Sequence, residues 1–320
     1  MKHLFIVNPI AGGRDKTPEI QEAVVHIFAS GGDFEVYTTR APMDGEEKVR
    51  AEAAVHDTLR VYAVGGDGTL NECVNGAAGL SNVAVAVYPS GTGNDFVRMF
   101  GAEKTRFLDL RALTAGEVRK LDLIGCNGRY GLNICSVGVD ARIGTQVHHY
   151  SRLPLIGGKF AYVSSTVVNL MRGVNQRMRI SFDGRVIDGM AALVCVCNGR
   201  FYGGGFNPVP EARPDDGILD FVIIRGVSRF EFIRLIGKYA SGRYRELPEK
   251  YLAYYRGDYA KIESDNLLCI NIDGETMESH TVEFKLVTGG LNFIFPRSMD
   301  FFNLDTERNE ENVRKSKISH

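Results

Sequence analysis

The chain has 320 residues, 44% hydrophobic and 24% charged, with a formal net charge of −1. That length leaves room for two domains of about 100–200 residues each, and the composition is that of a folded protein rather than a disordered or fibrous one. A charge so near zero sets up no global field toward nucleic acid or anionic lipid, so any such attraction has to come from a local patch.

Residues 4–7 read as a short buried strand, and 34–39, 61–64 and 83–88 as three more. Between the first two, Ile20, Val24, Ile27 and Phe28 recur with the spacing of one helix face. Residues 51–59 and 70–78 predict further helices. Strand and helix in alternation point to a parallel sheet covered on its faces, with ligands beyond the carboxyl ends of the strands. Glycine is in excess, 36 of 320 or about 11% against roughly 7%. The glycines cluster after the first, third and fourth strands.

From about Val118 the rhythm changes. Runs at 129–135, 178–182, 191–196, 219–224, 267–272 and 282–287 are strand-like, interrupted by helical patterns at 160–171 and 230–239. The expectation is a Rossmann-like α/β domain over 1–121 and a β-sandwich over 122–296. A segment over 297–320 would return to the first domain before a frayed polar tail. Cys73, Cys126, Cys135, Cys195, Cys197 and Cys269 form no C-x-x-C pair, which favours buried thiols over disulfides or zinc. The apolar run before Asn8 is too short for a signal-peptide core, and no run approaches the ~20 apolar residues of a membrane span. The expected location is cytoplasmic, at most peripheral on the inner face of a membrane.

Three motifs carry candidate chemistry. Asn8-Pro9-Ile10-Ala11-Gly12-Gly13 follows a strand and precedes a helix, so its amides can turn toward an anion; such a turn serves equally as plain punctuation. In Val64-Gly65-Gly66-Asp67-Gly68-Thr69-Leu70-Asn71-Glu72, three glycines surround one carboxylate at a strand end, with a helix expected from Thr69. Amides there can hold phosphate oxygens, while Asp67 can meet Mg2+ through water or orient an attacking hydroxyl. An Asp-Gly hairpin is the competing reading, discounted because 70–78 looks helical. Pro89-Ser90-Gly91-Thr92-Gly93-Asn94-Asp95-Phe96 adds hydroxyls and a second carboxylate, with Asp95 also suited to capping a helix.

These motifs resemble the diacylglycerol kinase catalytic domain family, which includes bacterial lipid kinases and the sphingosine and ceramide kinases. The resemblance extends to Ser136-Val137-Gly138-Val139-Asp140-Ala141, to Gly203-Gly204-Gly205 with Pro210, Ala212 and Asp215-Asp216-Gly217-Ile218-Leu219-Asp220, and to Asp273-Gly274-Glu275, covering about residues 1–296. It implies that 1–121 is the ATP-binding, nucleotide-binding domain and 122–296 the lipid-substrate domain, with ATP and a lipid meeting in the cleft between them. It implies ATP contacts from Asn8, Pro9, Ile10, Ala11, Gly12 and Thr39, from Gly65, Gly66, Asp67, Gly68, Thr69, Leu70 and Asn71, and from Thr92. Asp273 or Glu275 would accept the proton of the lipid hydroxyl. Asp67, Asp95 and Asp122 would surround catalytic Mg2+. A structural Mg2+ would sit beside the Asp-Asp-Gly turn, on the Asp216 side chain and the carbonyls of Arg213 and Ile218.

The activity so implied is transfer of the γ-phosphoryl of ATP to the hydroxyl of diacylglycerol or a related lipid, giving phosphatidic acid. Two alternatives are a kinase of a soluble acceptor, like NAD kinase, and a nucleotide-binding regulator without catalysis. The intact set Asp67, Asp95, Asp122, Asp273 and Glu275 argues against the second. Walker-type and protein-kinase signatures are absent, and His148-His149 reads as a solvated or packed pair. No nucleic-acid partner and no transmembrane segment are expected, and a homodimer is left open. The segment 225–245 sets Arg229, Arg234, Lys238, Arg243 and Arg245 around Phe232, Leu235, Ile236 and Tyr239. Such a face either lies on an anionic surface or packs on its own domain, the second being preferred. Leu153, Pro154, Leu155 and Ile156 form another candidate lip.

Overall fold

The computed structural model describes residues 1–139, 141 and 173–302. Asp140, His148, His149, the lip at 153–156, the helix expected over 160–171 and the tail from 303 lie outside the described residues.

Near-continuous apolar runs form the first sheet. β1 (Lys2–Val7), β3 (Leu59–Gly65) and β4 (Val83–Pro89) are buried along almost their whole length, whereas β2 (Asp33–Thr38) is a half-exposed edge. The four pair in parallel in the order β2-β1-β3-β4, with Val7 opposite Val64 and Gly65 opposite Pro89. Parallel strands covered on both faces need such unbroken apolar sequence. The register brings the carboxyl ends of β1, β3 and β4 to one rim, so the three glycine-rich loops leave the sheet side by side.

α1 (Thr17–Ile27) buries Ile20 and Val24, the face its periodicity predicts. α2 (Asp44–Ala53) lies earlier than the helix expected over 51–59, and Leu59 opens β3 instead. Its apolar pattern is misleading because α2 packs through small groups. A Cβ on Gly76 would fall 2.8 Å from Val49 Cβ, and one on Gly45 would fall 2.7 Å from Glu72 Oε2. α3 (Asp67–Ala77) begins two residues before the expected Thr69, which removes the hairpin alternative. α4 (Asp95–Arg98) and α5 (Leu110–Thr114) follow β4, the latter capped by Asp109, whose carboxylate accepts from the Arg111 and Ala112 amides.

The second lobe is antiparallel. β5 (Glu117–Cys126) and β6 (Arg129–Gly131) make a hairpin. β7 (Ile134–Gly138), β8 (Gln176–Phe182), β9 (Arg185–Cys197) and β10 (Leu219–Arg225) follow. The lobe continues through α6 (Arg229–Ala240), β11 (Leu252–Gly257), β12 (Tyr259–Ile272) and β13 (Glu275–Phe295). The single run expected over 129–135 is thus broken at Leu132 and Asn133. β9 serves two cores by period-two alternation. Val194 and Val196 join Phe221, Ile270 and Phe284, while Leu193, Cys195 and Cys197 join Phe232, Leu235 and Tyr239 of α6. The result is the α/β lobe and β-sandwich expected. All six cysteines are free, Cys269 half-buried and the others buried.

β13 belongs to both lobes. It pairs with β12 from Glu275 to Lys285, with β5 out to Phe295, and in parallel with β4 at Asn292 and Phe293. Phe293 and Phe295 are fully buried in the first lobe's core, meeting Phe96 at 5.0 Å and Phe100 at 5.7 Å. Beyond β13 the chain stays on that lobe, where Glu103 accepts from the Asp300 and Phe301 amides. Phe295→Ala removes a whole ring from this seam and is expected to destabilise the fold by about 3–5 kcal/mol, read as a fall in the urea midpoint.

Candidate active site

The rim is built by mutual approach of backbones. Asn8 donates its amide to the Val64 carbonyl at 3.0 Å, and its side chain bridges the Ile10 amide and the Thr69 hydroxyl at 3.1 and 3.3 Å. A Cβ on Gly12 would fall 2.2 Å from the Ser90 carbonyl oxygen, and one on Gly91 would fall 2.4 Å from Gly66 Cα. One on Gly93 would fall 2.3 Å from Asp67 Oδ2. No larger residue fits these positions without displacing the next loop. The three loops therefore form one surface at the N-terminus of α3, an end suited to anions by its unpaired amides and dipole.

That surface is one wall of a cavity of about 1160 Å³. Asn8, Pro9, Ile10, Ala11, Gly12, Thr39 and Thr92 line it, as do Gly66, Asp67, Gly68, Thr69, Leu70 and Asn71. Gly65 stands behind the wall, its carbonyl accepting from the Ser90 and Gly91 amides at 2.8 and 3.2 Å.

Asp67 and Asp95 meet in the same wall. Asp67 Oδ1 accepts from the Asp95 amide at 2.7 Å. Burial raises the Asp67 carboxyl above its ordinary range, against nearby amides and Arg98. Burial, together with the charge of Asp67, pushes Asp95 up to about 6. Asp95 is not the helix cap expected of it. Asn94, in left-handed backbone, precedes α4, and Asp95 Oδ2 instead accepts from the Gly204 amide of the second lobe at 2.8 Å. Its buried Oδ1 lies 3.2 Å from Arg98 Nε without an aligned hydrogen bond. Two desolvated carboxylates side by side in the cavity wall, one with an oxygen that lacks a hydrogen bond, fit a cation brought by a phosphate ligand.

The second lobe supplies the opposite wall. Asp273 lies in left-handed backbone, with φ 50°. Its carboxylate accepts from Leu132 at 2.6 Å, from Asn133 at 3.1 Å on each oxygen, and from Ile134 at 2.8 Å. These amides occupy roughly all the acceptor positions a carboxylate offers, and they are the bend that splits β6 from β7. Desolvation nonetheless pushes the Asp273 carboxyl up to about 6. Glu275 is exposed and lines the cavity, with Oε1 3.6 Å from where a Cβ on Gly68 would stand. Asp67 and Asp273 thus lie in one cavity.

Asp122 is not among the residues lining it. Asp122 Oδ2 accepts from the Gly217 amide and Oδ1 from the Gly289 amide, at 2.8 and 2.7 Å, so this carboxylate ties the Asp-Asp-Gly turn to β13. The structural cation expected at that turn finds a guanidinium already in place. Arg256 donates to Asp216 Oδ2 at 2.8 Å and to Asp220 Oδ1 at 3.0 Å, and Tyr254 also donates to Asp220. Asp216 Oδ1 faces the Ile218 amide, and Arg213 forks onto Asp215 at 2.9 and 3.0 Å. Asp216, the side chain expected to hold that ion together with the carbonyls of Arg213 and Ile218, is thus ion-paired with Arg256 in this structure. Among the described residues no group of three or more metal-ligating side chains occurs.

Several lining residues had no role from sequence. Glu72 accepts from the Met43 and Gly45 amides, and burial raises its carboxyl; its place in the glycine-aspartate motif was the available signal. Asn133, buried at 6% exposure, has no partner on Oδ1. Beyond the polar walls runs an apolar arm of Val139, Leu193, Phe206, Phe232, Ile233 and Ile236. It is assembled from four distant segments, so no local pattern announces it.

Comparison with known proteins agrees with this layout. Residues 2–126 match the family described as diacylglycerol kinase catalytic domain. Residues 133–295 match the one described as YegS C-terminal NAD kinase beta sandwich-like domain. Diacylglycerol kinases of two Staphylococcus aureus strains are 30% identical over 273 residues, 85% of this chain and 85% of theirs. A crystal structure of a diacylglycerol kinase from Bacillus anthracis is 25% identical, with a TM-score of 0.68, covering 93% of this chain and 98% of that one. A two-lobed kinase is the class so defined. The chain belongs to the diacylglycerol kinase catalytic domain family, whose members are lipid kinases using ATP.

With Arg256 in place, the unfolding curve is expected to be the same in EDTA and in millimolar Mg2+. Arg256→Met, which leaves Asp220 buried without its cation, should cost about 2–4 kcal/mol. Thermal melts check both. A Mg2+-dependent gain lost in Asp216→Asn but kept in Asp67→Asn would put an ion at the turn.

Proposed function

We propose that the protein is an ATP-dependent diacylglycerol kinase, transferring the γ-phosphoryl group to the free hydroxyl and yielding phosphatidic acid. The observation that carries this reading is the shared cavity. An anion-binding rim, a carboxylate turn from the other lobe and an apolar arm open onto one space. Of the two alternatives, the apolar arm argues against a small soluble acceptor, and the intact carboxylates argue against a regulator without catalysis.

In this mechanism the amides around Gly66, Gly68 and Thr69, with those of Gly12 and Thr92, hold the phosphate chain. Asn8 and Thr39 fix the loops that carry it. Asp67 and Asp95 are the carboxylates that would hold a Mg2+ brought with ATP, which would supply charge neutralisation to the phosphate chain. Asp273 has its acceptor positions filled by amides, so its work is to hold the turn. Glu275, exposed in the cavity next to the start of α3, is the open carboxylate that takes the hydroxyl proton. As that proton leaves, the lipid oxygen bonds to the γ-phosphorus and the bond to the β–γ bridging oxygen breaks, releasing ADP.

Label from γ-32P-ATP should enter diacylglycerol in mixed micelles in preference to ceramide, sphingosine or undecaprenol. Label confined to another lipid, or to a soluble acceptor, would replace the substrate named here. Glu275→Gln is expected to lower kcat by about 100-fold or more with little change in KM for ATP. Asp273→Asn, which turns an NH2 toward amide donors, should lower the melting temperature as well. If Asp273→Asn abolished turnover at unchanged stability while Glu275→Gln stayed active, the two roles would be exchanged.

The pH profile has a definite sign. The Asp67–Asp95 pair acts in its ionised form, and Asp95 protonates as pH falls through about 6. An acidic limb in kcat/KM for MgATP is therefore expected near pH 6, belonging to the pair rather than to one residue, and Asp95→Asn should remove its shape along with most of the activity.

A further inference from the structure

α6 has two apolar stripes, and among the described residues only one is buried in the core. A capping box fixes its start: Ser228 Oγ accepts from the Glu231 amide at 3.2 Å, and Glu231 reaches back to the Ser228 amide. Phe232, Leu235 and Tyr239 are buried under β9 and β10, which sets the helix's rotation and matches the expectation that this face packs on its own domain. On the outer side Phe230 is 75% exposed and Ile233 59%, followed by exposed Gly237 one turn on. Spacings of three and four put these residues on one face. An ordinary surface helix is polar there, and a contiguous exposed apolar stripe marks an interaction site.

Two features select the partner. Ile233 and Gly237 are also lining residues of the cavity, together with Ile236 and Ala240, so the stripe is continuous with the apolar arm. The helix also carries Arg229, Arg234 and Lys238 against the single acid Glu231; Lys238 is paired with Glu246 at 3.2 Å, which still leaves a local excess of one positive charge on a chain whose net charge is −1. Close beside its start, Met190, itself 51% exposed, accepts the Gly226 amide on its carbonyl. Apolar side chains between basic ones match the boundary between acyl chains and anionic headgroups.

We propose that α6 is the membrane-docking element: Phe230 and Ile233 enter an anionic bilayer, and a lipid passes from it along Ile233 and Ile236 into the apolar arm. The inference rests on the lipid-kinase reading but is tested without turnover. Vesicle co-sedimentation in the absence of ATP would compare neutral phosphatidylcholine with mixtures containing phosphatidylglycerol. Binding should favour the anionic vesicles and fall by about tenfold or more in Phe230→Ser/Arg234→Ser, from the lost apolar burial and the lost charge. Neither residue lines the cavity, so phosphorylation of water-dispersed dioctanoylglycerol should be unchanged in that variant. Leu267→Ser, at another exposed apolar position, should bind like the parent. Equal vesicle binding by the double variant overturns the proposal. So does a dimer in sedimentation equilibrium that Phe230→Ser dissociates, which makes the stripe a subunit interface. Vesicle binding that follows α6 while no lipid is phosphorylated would leave the surface standing and remove the kinase reading alone.

Discussion

The site depends on one strand that refuses to belong to a single lobe. β13 leaves the Asp273-Gly274-Glu275 turn, runs between β12 and β5, and ends beside β4 with Phe293 and Phe295 buried in the first core. Its hydrogen bonds and aromatic anchors would both have to break before the carboxylate turn could drift away from the glycine loops. In many two-lobed enzymes closure is a motion about a linker; here a ladder of backbone hydrogen bonds crosses from one lobe to the other.

Within that frame the two walls are made rigid by different means. On the nucleotide side the absence of side chains lets loops touch. Gly66 and Gly91 approach each other through backbone, and Gly93 leaves room for the Asp67 carboxylate. On the acceptor side a carboxylate organises the backbone, with Asp273 gathering the amides of Leu132, Asn133 and Ile134. Both devices place charge where water is scarce, which is why Asp95 and Asp273 resist ionisation.

What could be read from the chain follows from range. The parallel sheet was legible because β1, β3 and β4 are apolar without interruption, and the loop motifs because glycine and aspartate at a strand end have few other uses. The position of α2 was not, since its contacts run through Gly45 and Gly76 rather than an apolar stripe. Asp95 looked like a cap because local sequence cannot reveal Gly204, an amide more than a hundred residues away that claims its oxygen. The resemblance alone places Asp122 with the acids at the rim, and no local pattern announces its partners, the Gly217 and Gly289 amides. Arg256 on Asp216 pairs a strand with a turn far back in the chain, which no motif contains.

The Asp95–Gly204 hydrogen bond has a thermodynamic corollary. One carboxylate reaches both walls: Oδ2 holds a run of three glycines, Gly203 to Gly205, all in left-handed backbone, while Oδ1 lies beside Arg98 in the nucleotide wall. A cation that draws electron density from the carboxylate would weaken its hold on the glycine run, and a shorter bond to Gly204 would make the carboxylate a poorer ligand. By linkage the two effects are equal in size. A cation at the nucleotide wall and the order of the glycine run would then be coupled through this one side chain.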